Sequence, residues 1–302
     1  METGGSLIIL TGNACMTGII TPRMTDMLNL DWKALWNAAQ QGSLMDKSQP
    51  DEDKWLAFWD GEAAAYLARV KAEERVYAGI VEYLRREGVF REGDRVLDIA
   101  CGPGTYTLQF APMAQEATAL DISGRMLAEL VKEACERRIG NIRPVQSAWS
   151  DYREPEKYDL VFTALSPAVT GPGEFLKMEA FSSRSCCYVT TGTEEQSRTR
   201  HDLWRILAGV EKGRKEFNIA YPFNLLVSMG RKPNVRFFDY RSGERMTVEQ
   251  LTEYYAKFFG NFMEIDEEKR ARIAAYMQSI SSGGYCDSWN KKSLVALYWD
   301  VP

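Results

Sequence analysis

Between residues 93 and 192, short apolar runs alternate with stretches whose apolar positions recur every third or fourth residue. Arg95 to Ile99 and Ala117 to Asp121 are compact runs, and Tyr158 to Ala164 is almost unbroken. Runs of this kind are strands covered on both faces of a parallel sheet. Between the second and third strands, Met126, Leu127, Leu130, Val131 and Ala134 fall on one helical face, with Ser123 as N-cap and Gly140 as the stop. Ile142 to Gln146 predicts a third strand, Phe175 to Ser182 a helix, and Cys186 to Thr191 a fifth strand. Strands regularly separated by helices define an α/β fold with a doubly wound, mostly parallel sheet.

The flanks read differently. Asp31 to Gln41 predicts a short helix with Trp32 and Trp36 on one side, and a polar stretch from Asp46 to Asp53 follows. A longer, alanine- and charge-rich helix then runs from Glu62 to Arg86 and stops near Gly88. After the fifth strand, Tyr221-Pro222, Gly230 and Lys232-Pro233 punctuate the chain. Thr247 and Gln250 form a capping box for a helix carrying Val248, Leu251, Tyr254, Tyr255 and Phe258. The predicted organisation is a poorly ordered extension (1–27), an N-terminal helical segment or lid (28–92), a ligand-binding core (93–195), a cap or substrate-region insertion (196–245) and a C-terminal part completing the sheet (246–302).

Composition narrows the function. The chain has 302 residues, 45% of them hydrophobic, enough for a large core, and a net charge of −5. That charge argues against a general nucleic-acid surface, which needs a basic footprint. Six scattered cysteines without a C-x-x-C spacing suit a reducing, cytoplasmic setting. No apolar stretch reaches the ~18 residues of a membrane span. His201 is the only histidine, which excludes a histidine-rich metal site, and no carboxylate cluster calls for a metal. Residues 205–245 hold nine Lys or Arg against four Asp or Glu, a face that suits either an anionic acceptor or plain solvent.

The chemistry concentrates where the first strand ends. Asp98 closes that strand, Cys101-Gly102-Pro103-Gly104-Thr105 makes a turn with bare backbone, and Asp121 closes the second strand. Gly102 and Gly104 let a ligand approach main-chain amides. A carboxylate at Asp121 is placed to accept the two hydroxyls of a ribose, a charge-assisted pairing. A dinucleotide fingerprint would need a third glycine where Thr107 stands, and an acid before the turn suits a ligand bearing a cationic amino group.

On these residues the chain resembles the class I S-adenosylmethionine-dependent methyltransferases, whose D-x-x-x-G-x-G form is matched by Asp98 through Gly104. The resemblance implies a seven-stranded Rossmann-like sheet whose last strand inserts antiparallel, with Val235 to Tyr240 and Ser293 to Trp299 as its final pair. It implies S-adenosylmethionine as cofactor, with Asp98, Ala100, Gly102, Gly104 and Thr105 around the methionine moiety. Asp121 would take the ribose, and Ile122, Ala148 and Trp149 would lie about the adenine. Ala148 departs from the acid common in that position, so recognition there leans on backbone amides and on Trp149 or Asp151. Trp149 is either a stacking wall or a hydrophobic plug under the sheet. Ala164 and Ser166, at the end of the fourth strand, would flank the transferring methyl, and Ser166-Pro167-Ala168 lacks the N-P-P-aromatic form of relatives that methylate planar nitrogen. His201 is a candidate base at the mouth of the acceptor site, or an exposed helix residue. Trp32, Trp36, Trp55, Phe58 and Trp59 form either a lid over the donor or plain packing. The expected acceptor is a small molecule, and the competing expectation is a donor-binding module without turnover.

Overall fold

The computed structural model describes residues 30–41, 52–192, 198–209, 219–242, 245–287 and 290–302; the predicted extension over 1–27 lies outside them. Three helices come first: α1 (Trp32–Gln41), α2 (Glu52–Ala72) and α3 (Glu74–Arg86). The core follows as β1 (Arg95–Ile99), a single turn α4 (Thr107–Phe110), β2 (Glu116–Asp121), α5 (Gly124–Glu136), β3 (Ile142–Gln146), β4 (Tyr158–Ala164), α6 (Pro172–Phe181) and β5 (Ser182–Thr191). Beyond it lie α7 (Arg198–Ala208), α8 (Ala220–Ser228), β6 (Asn234–Ser242), β7 (Arg245–Thr247), α9 (Val248–Gly260), α10 (Glu267–Ile280), β8 (Tyr285–Asp287) and β9 (Asn290–Asp300).

Seven strands form one sheet in the order β3-β2-β1-β4-β5-β9-β6. The first five run parallel, and β9 lies antiparallel between β5 and β6. This is the Rossmann-like arrangement expected from the sequence, with the two final strands as assigned. The direction of winding reverses between β1 and β4, so the carboxyl ends of those two strands open the crevice in which such sheets bind ligands.

The sheet is buried on both faces. On one, Leu97, Val161, Tyr188 and Trp299 pack with Trp36, Phe175 and Leu226 from α1, α6 and α8. On the other, Val96, Leu160, Phe162 and Val189 pack with Ile80 and Leu84 of α3 and with Tyr106 and Phe110. A third cluster lies apart from the sheet, where Leu203 and Trp204 of α7 meet Phe258 and Phe259 of α9 and Ile273 and Met277 of α10. That cluster is therefore drawn from helices on both sides of β6 in the chain.

Local signals explain most boundaries. Ser123 caps α5 by accepting the amide of Met126 at 3.1 Å, and the Thr247–Gln250 box is closed in both directions. Gly88 turns the chain out of α3 at φ 73°, while the amide of Val89 reaches back to the carbonyl of Leu84 at 3.0 Å. Helix α5 stops earlier than Gly140 suggested: Arg138 takes the left-handed conformation at φ 58°. Ile139 then bonds back to the carbonyl of Ala134 at 2.9 Å, closing the helix without a glycine. The predicted Glu62–Arg86 helix begins ten residues sooner, at Glu52, and is split at Glu73 into α2 and α3.

Candidate active site

Strand β1 delivers Asp98 to the crevice almost fully buried, 2% exposed. Its carboxylate accepts the hydroxyl of Thr107 at 2.6 Å. The residue standing where a dinucleotide site would have its third glycine thus serves the acid before the turn. Burial pushes the Asp98 carboxyl up to about 7, the Thr107 bond pulls against that, and the charge of Asp121 adds to it. The carboxylate of Asp121 receives two main-chain amides, Gly102 on Oδ2 at 2.8 Å and Ser123 on Oδ1 at 2.8 Å. Burial also raises its proton affinity, against the opposing effect of those amides. Each carboxylate oxygen has a second lone pair, so both remain able to accept ribose hydroxyls.

The turn between the acids is conformationally unusual. Ala100 has φ 55°, Gly102 56° and Gly104 89°. Gly104 is required by packing: a Cβ there would stand 2.3 Å from Cδ1 of Leu130 on α5. Gly102 answers the other need, since a Cβ there would meet only the ring of Tyr66, at 3.8 Å. At the end of β4, Leu165 is likewise a non-glycine residue in the left-handed region, φ 52°, and is 45% exposed. The two central strands therefore both end in strained bends that face the crevice, a frequent mark of functional sites.

Helix α2 forms the far wall. Asp60 accepts the hydroxyl of Ser123 at 2.5 Å, Tyr66 lies over Gly102, and Trp59 packs edge-on to Tyr66 with ring centroids 5.8 Å apart. Tyr106, next to Thr107, packs on Phe162 at 4.8 Å and on Tyr77 at 5.4 Å. Asp60, Tyr66, Tyr106 and Thr107 were not singled out by sequence reasoning as site residues. Thr107 alone carried a signal, its place in the glycine motif.

The other candidates fall as follows. Ala100, Gly102, Gly104 and Thr105 form the turn between the two acids. Ile122 is half-buried, and its carbonyl accepts from the amide of Gln146 at 3.3 Å. The carbonyl of Ala148 accepts the hydroxyl of Ser147 at 3.0 Å. Trp149 is in the core, packed on Phe181 at 5.2 Å, with its indole N–H donating to the carbonyl of Glu174 at 3.1 Å. Ala164 packs against the cluster that holds Tyr106. The hydroxyl of Ser166 accepts the amide of Ala168 at 2.9 Å, shaping the turn after β4. His201 lies half-buried on α7, in the helix that builds the third cluster.

The aromatic residues expected either as a lid or as packing divide. Trp36 is wholly buried beneath α6, its indole bonded to the carbonyl of Thr170 at 2.9 Å. Trp55 and Phe58 join α2 to Phe258 of α9. In the basic stretch, Arg231 is held by Glu179 through two bonds of 3.0 and 2.9 Å. Arg236 lies over the ring of Tyr83, and Arg245 over that of Tyr285.

A sheet of this order, with a glycine turn between two strands that each deliver a buried acid, is of the doubly wound class. The turn leaves Gly102 without a side chain of its own, its amide donating to Asp121, while Asp98 is held by Thr107. Residues 96–177 match the family described as a methyltransferase domain. An uncharacterized protein of Haemophilus influenzae is 22% identical over 249 residues, 80% of this chain and 88% of that protein. Among solved structures, the YcgJ protein of Bacillus subtilis is similar over 76% of this chain and 99% of its own, at 13% identity and a TM-score of 0.49. A putative methyltransferase of Bacillus halodurans is similar over 73% of this chain and 98% of its own, at 14% identity and a TM-score of 0.48.

Proposed function

We propose that the protein transfers the methyl group of S-adenosylmethionine to a small-molecule acceptor through an oxygen, nitrogen or sulfur nucleophile. The observation that carries this reading is the pair of buried acids across the Gly102 turn. Both are raised in proton affinity by burial, so the crevice is short of positive charge that a cationic donor brings with it.

The donor supplies an activated methyl carbon, and displacement at that carbon releases the neutral thioether. Asp98 holds the ammonium end, Asp121 the ribose, and the main-chain turn sets the distance between them. Positioning of this kind lowers a barrier by roughly 7–11 kcal/mol when nucleophile and electrophile are held in line. The acceptor stands over the end of β4, beside Ala164, Leu165 and Ser166, and its proton leaves to a base or to solvent. The described basic residues that are already engaged, Arg231 above all, do not favour an anionic acceptor over a neutral one.

No described helix is long and apolar enough to cross a membrane. Cys101, Cys186 and Cys187 are buried thiols outside any disulfide, which supports a reducing, cytoplasmic setting. The decisive experiment is calorimetric titration with S-adenosylmethionine and its demethylated product. Micromolar affinity is expected, weakened by roughly ten- to a hundredfold in Asp121→Ala, the loss of one charge-assisted bond. Unchanged affinity in that variant would remove the ribose assignment. A tritiated-methyl screen against metabolite extracts then identifies the acceptor, and a complete lack of transfer in a donor-binding protein would replace the enzyme by a sensor.

A further inference from the structure

Helix α2 is tied firmly at its C-terminal end. Lys71, in its last turn, pairs with Glu133 of α5 at 2.6 Å. Glu73, the break between α2 and α3, has a non-helical backbone (φ −103°, ψ 8°). Its carboxylate accepts the hydroxyl of Tyr77 at 2.9 Å and the ammonium of Lys292 at 3.0 Å. Lys71 and Glu73 thus fasten this end to α5, α3 and β9.

Over the crevice the attachment is of another kind. Asp60 accepts the hydroxyl of Ser123 at 2.5 Å. Ser123 in turn gives its amide to Asp121 and accepts that of Met126, so the bond joins α2 to the loop that follows the second acid. Six residues further along α2, Tyr66 lies on the glycine turn, its Cε1 atom 3.8 Å from where a Cβ of Gly102 would stand. That is van der Waals contact. The ring therefore fills the space that a ligand resting on this side of Gly102 would take.

Charge argues that the Asp60–Ser123 bond serves more than the fold. Burial first, and the charge of Asp60 after it, raise the proton affinity of Asp121. A neutral side chain would accept the Ser123 hydroxyl without that repulsion. An additional acid beside Asp121 is favourable only when a cation enters the crevice, and the donor brings one.

We propose that the N-terminal half of α2 is a gate over the donor crevice, pivoting on the Lys71–Glu73 end and latched by the Asp60–Ser123 hydrogen bond. The proposal rests on the donor-binding reading above and deepens it, from what the crevice holds to how it is entered. With the latch made, Tyr66 covers Gly102. With it broken, the ring lifts, and the donor enters or its demethylated product leaves. A gate of this kind sets the rates of exchange and has little effect on affinity, because loosening it speeds passage in both directions.

The test measures association and dissociation rates of S-adenosylhomocysteine by stopped-flow tryptophan fluorescence, for which Trp59, packed on Tyr66, is the reporter. Wild type, Asp60→Ala and Asp60→Asn are compared, with calorimetric affinity and melting temperature alongside. Asp60→Ala is expected to raise both rates roughly tenfold or more and to change the affinity far less. Asp60→Asn keeps an oxygen that accepts the Ser123 hydroxyl, so it is expected to exchange at wild-type rates. Unchanged rates in Asp60→Ala overturn the proposal, whatever its melting temperature. Faster dissociation alone overturns it too, because Asp60 would then support affinity and not passage. So does fast exchange in Asp60→Asn, since the hydrogen bond would not be the latch. If the wild type binds no S-adenosylhomocysteine, the donor-binding reading itself fails, a result distinct from any effect of the Asp60 substitutions.

Discussion

Asp98→Asn should make the protein more stable while disabling its donor site, and the size of both effects follows from burial. The carboxyl is raised from 3.8 to about 7. One pKa unit corresponds to about 1.36 kcal/mol, so holding Asp98 ionised at pH 8 destabilises the unliganded fold by roughly 4 kcal/mol. Asparagine accepts the Thr107 hydroxyl as the acid does and carries no charge. Its amide brings two N–H groups that need partners, which returns roughly 1–3 kcal/mol. The net gain at pH 8 is therefore roughly 1–3 kcal/mol. The sign with pH is fixed, since the folded state binds its proton more tightly than the unfolded chain. Between about pH 4 and pH 7 the wild type loses stability as pH rises, and above pH 7 the loss is complete. Urea unfolding of wild type and Asp98→Asn at pH 5 and pH 8 isolates the contribution, because all other titrating groups are common to both. The variant should gain on the wild type as pH rises. A difference between them that is the same at both pH values, or an Asn variant weaker than wild type at pH 8, would refute the argument that desolvation dominates at this acid.

Four further outcomes follow from the geometry. Donor affinity should fall by up to tenfold per pH unit below about pH 7, because Asp98 must shed its proton to hold an ammonium group; calorimetry in two buffers of different ionisation heat measures the proton released. Gly104→Ala should destabilise by roughly 2–4 kcal/mol, from the overlap with Leu130 and the left-handed φ. Gly140→Ala, with nothing within 4 Å of the added carbon and no positive φ, should be neutral or slightly stabilising in the same denaturation series. Trp36→Ala should cost roughly 3–5 kcal/mol, the range for emptying a buried aromatic site, while leaving the donor affinity of the folded protein unchanged in calorimetry.

What the sequence disclosed depended on distance along the chain. Asp98, Gly102, Gly104 and Asp121 were legible because a strand, a turn and a returning strand fix their relation within a few dozen residues. The strands were legible because burial on both faces leaves an apolar run. Strands β6 and β9 could be paired only through the family resemblance, since nothing local joins Val235 to Leu297. The wall formed by α2 was hidden. Asp60 meets Ser123 across 63 positions, and a single acid on a charged helix carries no mark of that contact. The start of α2 was missed because its first turns mix acids with Trp55 and Phe58, whose partner Phe258 lies in α9. Trp149 illustrates a limit of another kind: position after β3 gave its neighbourhood, but the direction of its indole, into the core toward Glu174, is decided by the packing of α6.

The placement of β9 bears on how the molecule is made. Residues 290–300 fill the slot between β5 and β6, so during synthesis β6 has no sheet neighbour until β9, some fifty residues further on, has been made. The turn between Asp98 and Asp121, by contrast, stands on strands β1 to β5, all made by residue 191. The nascent protein thus completes that crevice well before its sheet has a second edge, and a chaperone would meet a half-built sheet whose exposed flank is β5.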